Sequence, residues 1–346
     1  MSDIFIERRG TAGIITLNKP DTLNALTHEM VLTIGQALDR WQDDTSVRHA
    51  VIRASGGRAF SAGGDIRDLY VRGQSDYPAM LRFFADEYRL DARIKAYPKP
   101  YIALIDGIVM GGGVGVSVNG SHRVGTENLR FAMPEVGIGF FPDVGGTYFL
   151  PRMPRRTGRF CALTASRLKR GPALAAGIIT HAVDADQLDN LLNALTETRD
   201  GPACLDDFAC RDTTEPIHPE VAAIETWFDA DRVEEIVARI EAGRETAPEF
   251  AAETLTAMSA KSPTSLKIAL RQMQVGETAS FQTCMKTEYR IVSRVLKGHE
   301  VYEGIRAAII DKDNRPVWRP DTLEAVSDSE IGAYFRPPED GDLTFD

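Results

Sequence analysis

Two glycine-rich loops constrain this chain most, because each stands after a strand-like run and before a helix-like one. The first is Ser55-Gly56-Gly57-Arg58-Ala59-Phe60-Ser61-Ala62-Gly63-Gly64-Asp65, after the apolar run His49–Ala54. The second is Met110-Gly111-Gly112-Gly113-Val114-Gly115-Val116, reached from Tyr101–Ile105 through Asp106-Gly107. Glycine lets backbone amides approach a ligand closely, and a helix start adds partial positive charge. Amides so placed hold a phosphate or an oxyanion.

The flanking periodicity predicts an α/β layer architecture with mostly parallel strands. Ile4–Arg8 and Ala12–Leu17 read as strands joined at Gly10, and Thr27 as the cap of a helix burying Met30, Ile34, Leu38 and Trp41. A long helix from about Asp76 to Ala96 ends before Pro98 and Pro100. Short strands are expected near Arg123–Gly125, Leu129–Ala132 and His181–Val183. From about Pro142 onward the pattern is otherwise helical, beginning with Asp143–Leu150 and running to Val301–Ile310. Residues 1–200 form the expected core, 201–335 a helical C-terminal region, and 336–346 a loose acidic tail. The expected boundary lies near Asp200-Gly201-Pro202.

Composition excludes several classes. With 346 residues, 43% of them apolar, the chain can bury a core without staples. Its net charge of −10 disfavours non-specific nucleic-acid binding, which needs a cationic surface. Part of that excess lies in the tail, at Glu339, Asp340, Asp342 and Asp346. Cys161, Cys204, Cys210 and Cys284 form no C-x-x-C pair, and the six histidines show no metal-binding spacing. No metal is expected. The start, Met1-Ser2-Asp3-Ile4-Phe5, lacks a signal pattern, and no apolar run is long enough to span a bilayer. A reducing, cytoplasmic setting without membrane attachment is the expectation.

Pattern tests remove the common phosphate and serine motifs. Gly115 and Gly120 have Walker spacing, but Ser121-His122 follow in place of Lys-Ser/Thr. A dinucleotide fingerprint begun at Gly111 or Gly113 ends in Val116 or Val118, and a nucleophile elbow begun at Gly115 ends in Asn119. A third feature then stands out. Glu135 and Asp143 lie eight residues apart in Phe131-Ala132-Met133-Pro134-Glu135 and Phe140-Phe141-Pro142-Asp143-Val144-Gly145-Gly146. Carboxylates in apolar surroundings hold their protons to higher pH, which suits acid–base or nucleophilic work. A lone Glu after Pro also fits the first turn of a helix.

At these residues the sequence resembles the crotonase (enoyl-CoA hydratase/isomerase) superfamily. The ordered set is Phe60–Ile66, Tyr101–Gly107, Met110–Gly115 and Met133-Pro134-Glu135. The resemblance implies a crotonase-like spiral of ββα units that binds an acyl-CoA thioester. One amide from each loop would hold the thioester oxygen: Gly112 from the second, and one of Ala62, Gly63 and Gly64 from the first. Hydratases of the family carry two glutamates. The position of the first is Gly115 here, and the second survives as Glu135.

That departure, with Phe141–Gly146, resembles the 3-hydroxyisobutyryl-CoA hydrolase branch. So do Lys261–Lys267, Glu288-Tyr289-Arg290, Glu303–Ala307, Asp311–Asn314 and Trp318-Arg319-Pro320. The branch implies a thioester hydrolase of valine breakdown. Glu135 would act as nucleophile or as base for water, Asp143 would position the hydroxyl or the water, and Glu87 would contact substrate. Asp65 would either touch substrate or cap the following helix. Arg58, Arg152, Arg155, Arg156, Lys267 and Arg271 are candidates for the CoA phosphates, although most such residues are ordinary surface charges. No separate cofactor is implied, because coenzyme A belongs to the substrate. The partner is a small acyl-CoA, and homo-oligomers are common in the family. Alternatives are a hydratase or isomerase of the same fold and a non-catalytic acyl-CoA-binding protein.

Overall fold

Gly10, at φ +58°, turns the chain between β1 (Ile4–Arg9) and β2 (Ala12–Leu17), which pair antiparallel with Ile4 opposite Leu17. This computed structural model describes residues 2–198, 200–210 and 215–345. Met1 and Asp346, named above at the two ends, lie outside the described residues. Contacts divide the chain into two units. One comprises Met1–Asp65, Arg89–Phe131 and Arg167–Ile217, and the other Ile66–Tyr88, Ala132–Ser166 and His218–Asp346. The division therefore follows a different course from a single cut at residue 200.

The first unit is built on a sheet. β3 (His49–Ala54), β5 (Tyr101–Ile105), β7 (His122–Gly125) and β9 (His181–Ala182) extend the hairpin in the order β1-β2-β3-β5-β7-β9. Every pairing after the first is parallel. Parallel strands are covered on both faces, so they read as near-continuous apolar runs; all five residues of β5 are buried. Ile14, Val51, Ile102, Leu104 and Val124 pack with Leu191, Leu192 and Leu195 of the helix Leu188–Glu197. The helix His28–Gln42 starts where expected. The Thr27 side chain accepts the Met30 amide, and the apolar face carries Met30, Ile34, Leu38 and Trp41.

A second, three-stranded sheet sets the glycine loops. β4 (Ala59–Ser61), β6 (Ile108–Met110) and β8 (Arg130–Ala132) lie in the order β4-β6-β8, with β4 and β6 parallel. Parallel neighbours release their chains at the same edge. The residues after β4, Ala62–Asp65, and those after β6, Gly111–Gly113, therefore emerge side by side.

The second unit is helical. Its longer helices include Pro248–Ser259, Pro263–Gly276 and Phe281–Val295. Four expectations need correction. The helix expected over 143–150 is only Gly146–Phe149, because Val144 (φ +50°) and Gly145 (φ +97°) are left-handed and cannot continue a right-handed helix. The expected boundary at Asp200-Gly201-Pro202 is a helix start, Gly201–Phe208, with the Asp200 carboxylate capping the Ala203 amide. Gly201 packs there beside His49 of β3. The segment expected as one helix over 301–310 is Glu300–Ile305 followed by a wider turn, Arg306–Ile310. The tail is acidic but not loose. Arg290 pairs with Asp342 and Leu343 is 2% exposed, so residues 342–343 are held by a buried apolar side chain and an ion pair.

Candidate active site

In the first unit the two glycine loops touch. A Cβ on Gly63 would lie 3.2 Å from the Met110 carbonyl oxygen and 3.4 Å from the Gly112 nitrogen. One on Gly113 would lie 2.6 Å from the Ser61 carbonyl oxygen. Gly63 also sits at φ +105°, which other residues rarely adopt. These contacts explain the glycines without any reference to a ligand.

The amide inventory then narrows the first-loop donor. The Ala62 N–H donates to the Leu23 carbonyl at 3.0 Å, and the Gly63 N–H donates to Ser61 Oγ at 3.2 Å. Both are committed, which removes Ala62 and Gly63 as donors. Leu26 pairs around Gly64 through its own amide to the Gly63 carbonyl and its carbonyl to the Asp65 amide. That leaves the Gly64 amide facing away from Leu26. Gly112 is the first residue of the helix Gly112–Val118, where amides have no intrahelical acceptor. Asp65 pairs with Lys19 at 3.5 Å and directly precedes the helix Ile66–Ser75. Gly115 is buried in the helix that Gly112 opens, and presents no side chain.

In the second unit the acidic residues converge. Glu87, Glu135, Asp143 and Glu288 are 2%, 6%, 4% and 0% exposed. Glu87 comes from the helix Tyr77–Lys95, and Glu135 opens the short turn Glu135–Ile138. Asp143 precedes the left-handed pair at 144–145, and Glu288 sits on the helix Phe281–Val295. Asp143 Oδ2 accepts the Tyr88 hydroxyl at 2.9 Å. Glu87 Oε1 and Glu135 Oε2 are buried with no protein partner. Unpaired buried carboxylate oxygens are costly in a core and are a signature of a functional centre.

Aromatic rings form the apolar wall. Phe84 stacks on Phe140 at 5.7 Å, Phe140 on Phe141 at 4.7 Å, and Phe84 tilts against Tyr88 at 5.9 Å. Burial, then repulsion from Asp143 and Glu288, holds Glu87 and Glu135 well above the ordinary carboxylate range. Burial also lifts Asp143 to about 7, against the lowering effect of the Tyr88 hydroxyl. Burial and Asp143 push Glu288 up to about 8, against two amide donors that favour its charge. The charged groups acting on Glu87, Glu135 and Glu288 are other carboxylates, so the ionisation of each opposes that of the others.

The C-terminal helices clamp the loop that carries Glu135 and Asp143. Gln272 donates to the Pro142 carbonyl. Gly276 lies so close to Thr147 that a Cβ would be 1.7 Å from its carbonyl oxygen. Gly304 lies against Ile138, and Gly139 (φ +69°) against Glu300, equally without room for a side chain. Of the branch-like C-terminal motifs, Glu303–Ala307 supplies Gly304, and the motifs also supply supports around these contacts. Glu300 links the Ser262 hydroxyl to the Arg319 amide, and Arg306 binds Glu303, Asp311 and Asp313.

The structure thus brings Glu87, Glu135 and Asp143 together in one unit, and Gly63, Gly64 and Gly112 together in the other. It also assigns structural roles to most of the candidate phosphate ligands. Lys267 is buried on Glu234 and the Val326 carbonyl. Arg155 pairs with Glu225, Arg156 with Asp229 and Glu277, and Arg152 holds the Gly276 and Ala279 carbonyls. Tyr88, Gln272 and Glu288 were missed as members of the site. For Glu288 a signal was present, since it interrupts the buried stripe Cys284, Ile291 and Val295, as Glu87 does on the face of Met80 and Phe84. A carboxylate inside an apolar helical stripe is the pattern to look for.

Comparison with known proteins decides the family. The enoyl-CoA hydratase/isomerase family model matches residues 12–335. The chain belongs to this family. It is 41% identical over 354 residues to the rat protein named 3-hydroxyisobutyryl-CoA hydrolase, mitochondrial, covering 99% of this chain and 91% of that one. The human protein of the same name is 40% identical, with the same coverage. Among solved structures, a carnitinyl-CoA dehydratase from Mycobacterium thermoresistibile is 38% identical with a TM-score of 0.94, covering 100% of this chain and 99% of that one. An enoyl-CoA hydratase from Rhodobacter sphaeroides 2.4.1 is 39% identical with a TM-score of 0.90, covering 99% of this chain and 100% of that one. The crotonase fold expected from the sequence is thus observed. The curated relatives are named mitochondrial, so they give the cytoplasmic expectation no support. No helix among the described residues is long and apolar enough to cross a membrane.

Proposed function

We propose that this chain hydrolyses the thioester of 3-hydroxyisobutyryl-CoA, releasing 3-hydroxyisobutyrate and coenzyme A, as a step of valine breakdown. The observation that carries the reading is Glu135: a buried carboxylate with one unpartnered oxygen, beside Asp143, in a chain whose position 115 is glycine. The names of the curated relatives support the substrate. Four free cysteines fit a reducing compartment.

The amides of Gly64 and Gly112 would stabilise the oxygen of the tetrahedral intermediate. Each such donor is typically worth about 10²–10³ in rate. Glu135 would supply the attack on the acyl carbon, directly or by taking a proton from water. The C–S bond then breaks and the thiolate leaves, taking up a proton as CoA. In the direct route the resulting anhydride is opened by water, which regenerates the Glu135 carboxylate. Asp143, with a pKa raised to about 7 and held by Tyr88, would position the water or the substrate hydroxyl. Glu87, whose burial favours the protonated form, would donate a hydrogen bond to a substrate oxygen in that form.

The two similar solved structures are of proteins named a dehydratase and a hydratase. A hydration reading would need a second carboxylate where Gly115 stands, and a buried glycine cannot provide one. The test is Glu135→Gln. It is expected to keep CoA-ester affinity within about 3-fold while lowering turnover by at least about 10³-fold, since it removes both nucleophile and base. Unchanged turnover would remove Glu135 from the mechanism.

A further inference from the structure

Asp143 sits on a stretch of backbone that should not be rigid by itself. Val144 and Gly145 are both left-handed, and Gly145 lacks a side chain to brace the turn. Besides the Gln272 bond to the Pro142 carbonyl, its backbone amides are held by one side chain from far along the sequence. Glu288 Oε2 accepts the Gly145 amide at 3.0 Å, and Glu288 Oε1 accepts the Thr147 amide at 2.9 Å. Both oxygens are used, in a fully buried position, on the first amides of the helix that follows Asp143. Glu288 itself stands on a helix of 15 residues, among the buried Cys284, Met285, Ile291 and Val292. The support is thus a long helix, and the supported segment is a short turn held from outside itself.

We infer that Glu288 is a positioning residue: by accepting the amide hydrogens of Gly145 and Thr147 it fixes the turn that carries Asp143, and so holds the Asp143 carboxylate in place against Tyr88. The inference rests on the reading of Asp143 as a member of the hydrolytic site. Glu288 does not touch the reacting atoms in this account. Its positioning effect passes through Asp143, apart from the repulsion it exerts on Glu87 and Glu135, and that makes it separable from a generic core residue. A misplacement of about 1 Å in a reacting group can cost about 10²-fold in rate. Glutamine at 288 keeps the shape and one acceptor oxygen. Its NH₂ group, however, meets the second backbone N–H donor head-on, so one of the two bonds is lost.

The test follows thiol release from 3-hydroxyisobutyryl-CoA by wild type, E288Q, D143N and the D143N/E288Q double variant. Hydrogen exchange of the segment 141–150 is measured alongside. Expected are a fall in kcat of about 30–100-fold for E288Q with KM within about 3-fold, and no more than about a 2-fold further loss when E288Q is added to D143N. The Gly145 and Thr147 amides should exchange faster in E288Q. Equal losses in both backgrounds, a KM that rises as kcat falls, or wild-type kcat in E288Q would overturn the inference. Should E288Q fail to fold, Glu288→Asp carries the test. It keeps two oxygens on a side chain one methylene shorter, and an intermediate kcat is expected; a wild-type kcat would overturn the inference. Thiol release by wild type and its loss in D143N are the control for the function. If they fail, the proposed function falls and the inference with it; if they hold and E288Q is silent, the inference alone has failed.

Discussion

The Tyr88 hydroxyl donates to Asp143 Oδ2 at 2.9 Å, inside a cluster of four buried carboxylates. This bond favours the charged form of Asp143, against burial, which lifts it to about 7. Tyr88→Phe removes the donor and keeps the ring against Phe84. Asp143 should then hold its proton to higher pH. The acid limb of the kcat/KM profile is expected to move up by about 1 unit, in line with a lost hydrogen bond to a charged group of about 1.5–3 kcal/mol. A profile unmoved in Y88F would mean that Asp143 does not govern that limb.

The cluster also fixes the sign of the stability–pH relation. Glu87, Glu135, Asp143 and Glu288 all hold protons more tightly in the fold than in the unfolded chain. Between pH 6.5 and 8.5 the folded state binds more protons than the unfolded state, so stability falls as pH rises. Each carboxyl that stays protonated contributes about 1.4 kcal/mol of loss per pH unit. The window lies above the buried His49 and the half-buried His122 and His218, whose lowered values act in the opposite direction at lower pH. Urea midpoints at pH 6.5, 7.5 and 8.5 should decline, and Glu87→Gln should flatten the decline. A flat or rising wild-type series contradicts the picture of tightly held protons.

Gly63 and Gly57 separate backbone strain from site geometry. Both have positive φ, but a Cβ on Gly57 meets nothing within 4 Å, whereas one on Gly63 abuts the Gly112 nitrogen at 3.4 Å. Gly63→Ala, by crowding the Met110 carbonyl and the Gly112 nitrogen, should displace the Gly112 amide and lower kcat by about 10²-fold. Gly57→Ala should cost about 1 kcal/mol of stability and leave kcat unchanged. Equal kinetic effects from the two would remove the glycine-loop contact from the account.

Much of this was legible in the sequence, for physical reasons. β1, β2, β3 and β5 show as apolar runs, and Thr27 marks its helix, because periodicity and capping are local. Glu135 and Asp143 stood out because charge is rare among Phe, Pro and Gly. The turn at 143–145 was read as helix because its conformation is set by Glu288, a residue 143 positions away that no local pattern can reveal. The tail looked loose because its acidic residues outweigh one buried leucine, yet Arg290 offsets Asp342 and Leu343 finds a pocket. Committed amides at Ala62 and Gly63 are likewise invisible in a string of small residues. They follow from the parallel pairing of β4 and β6 and from the Leu23 carbonyl.

The central claim is that one retained glutamate, with glycine at position 115, makes this family member a thioester hydrolase. It is tested most directly by offering the purified wild-type protein two substrates at equal concentration. Thiol release is followed from 3-hydroxyisobutyryl-CoA, and loss of the conjugated absorbance from crotonyl-CoA. The account predicts rapid thiol release with negligible hydration. Hydration of crotonyl-CoA without thiol release would contradict it, and would place a second carboxylate in the role that Gly115 is here said to leave vacant.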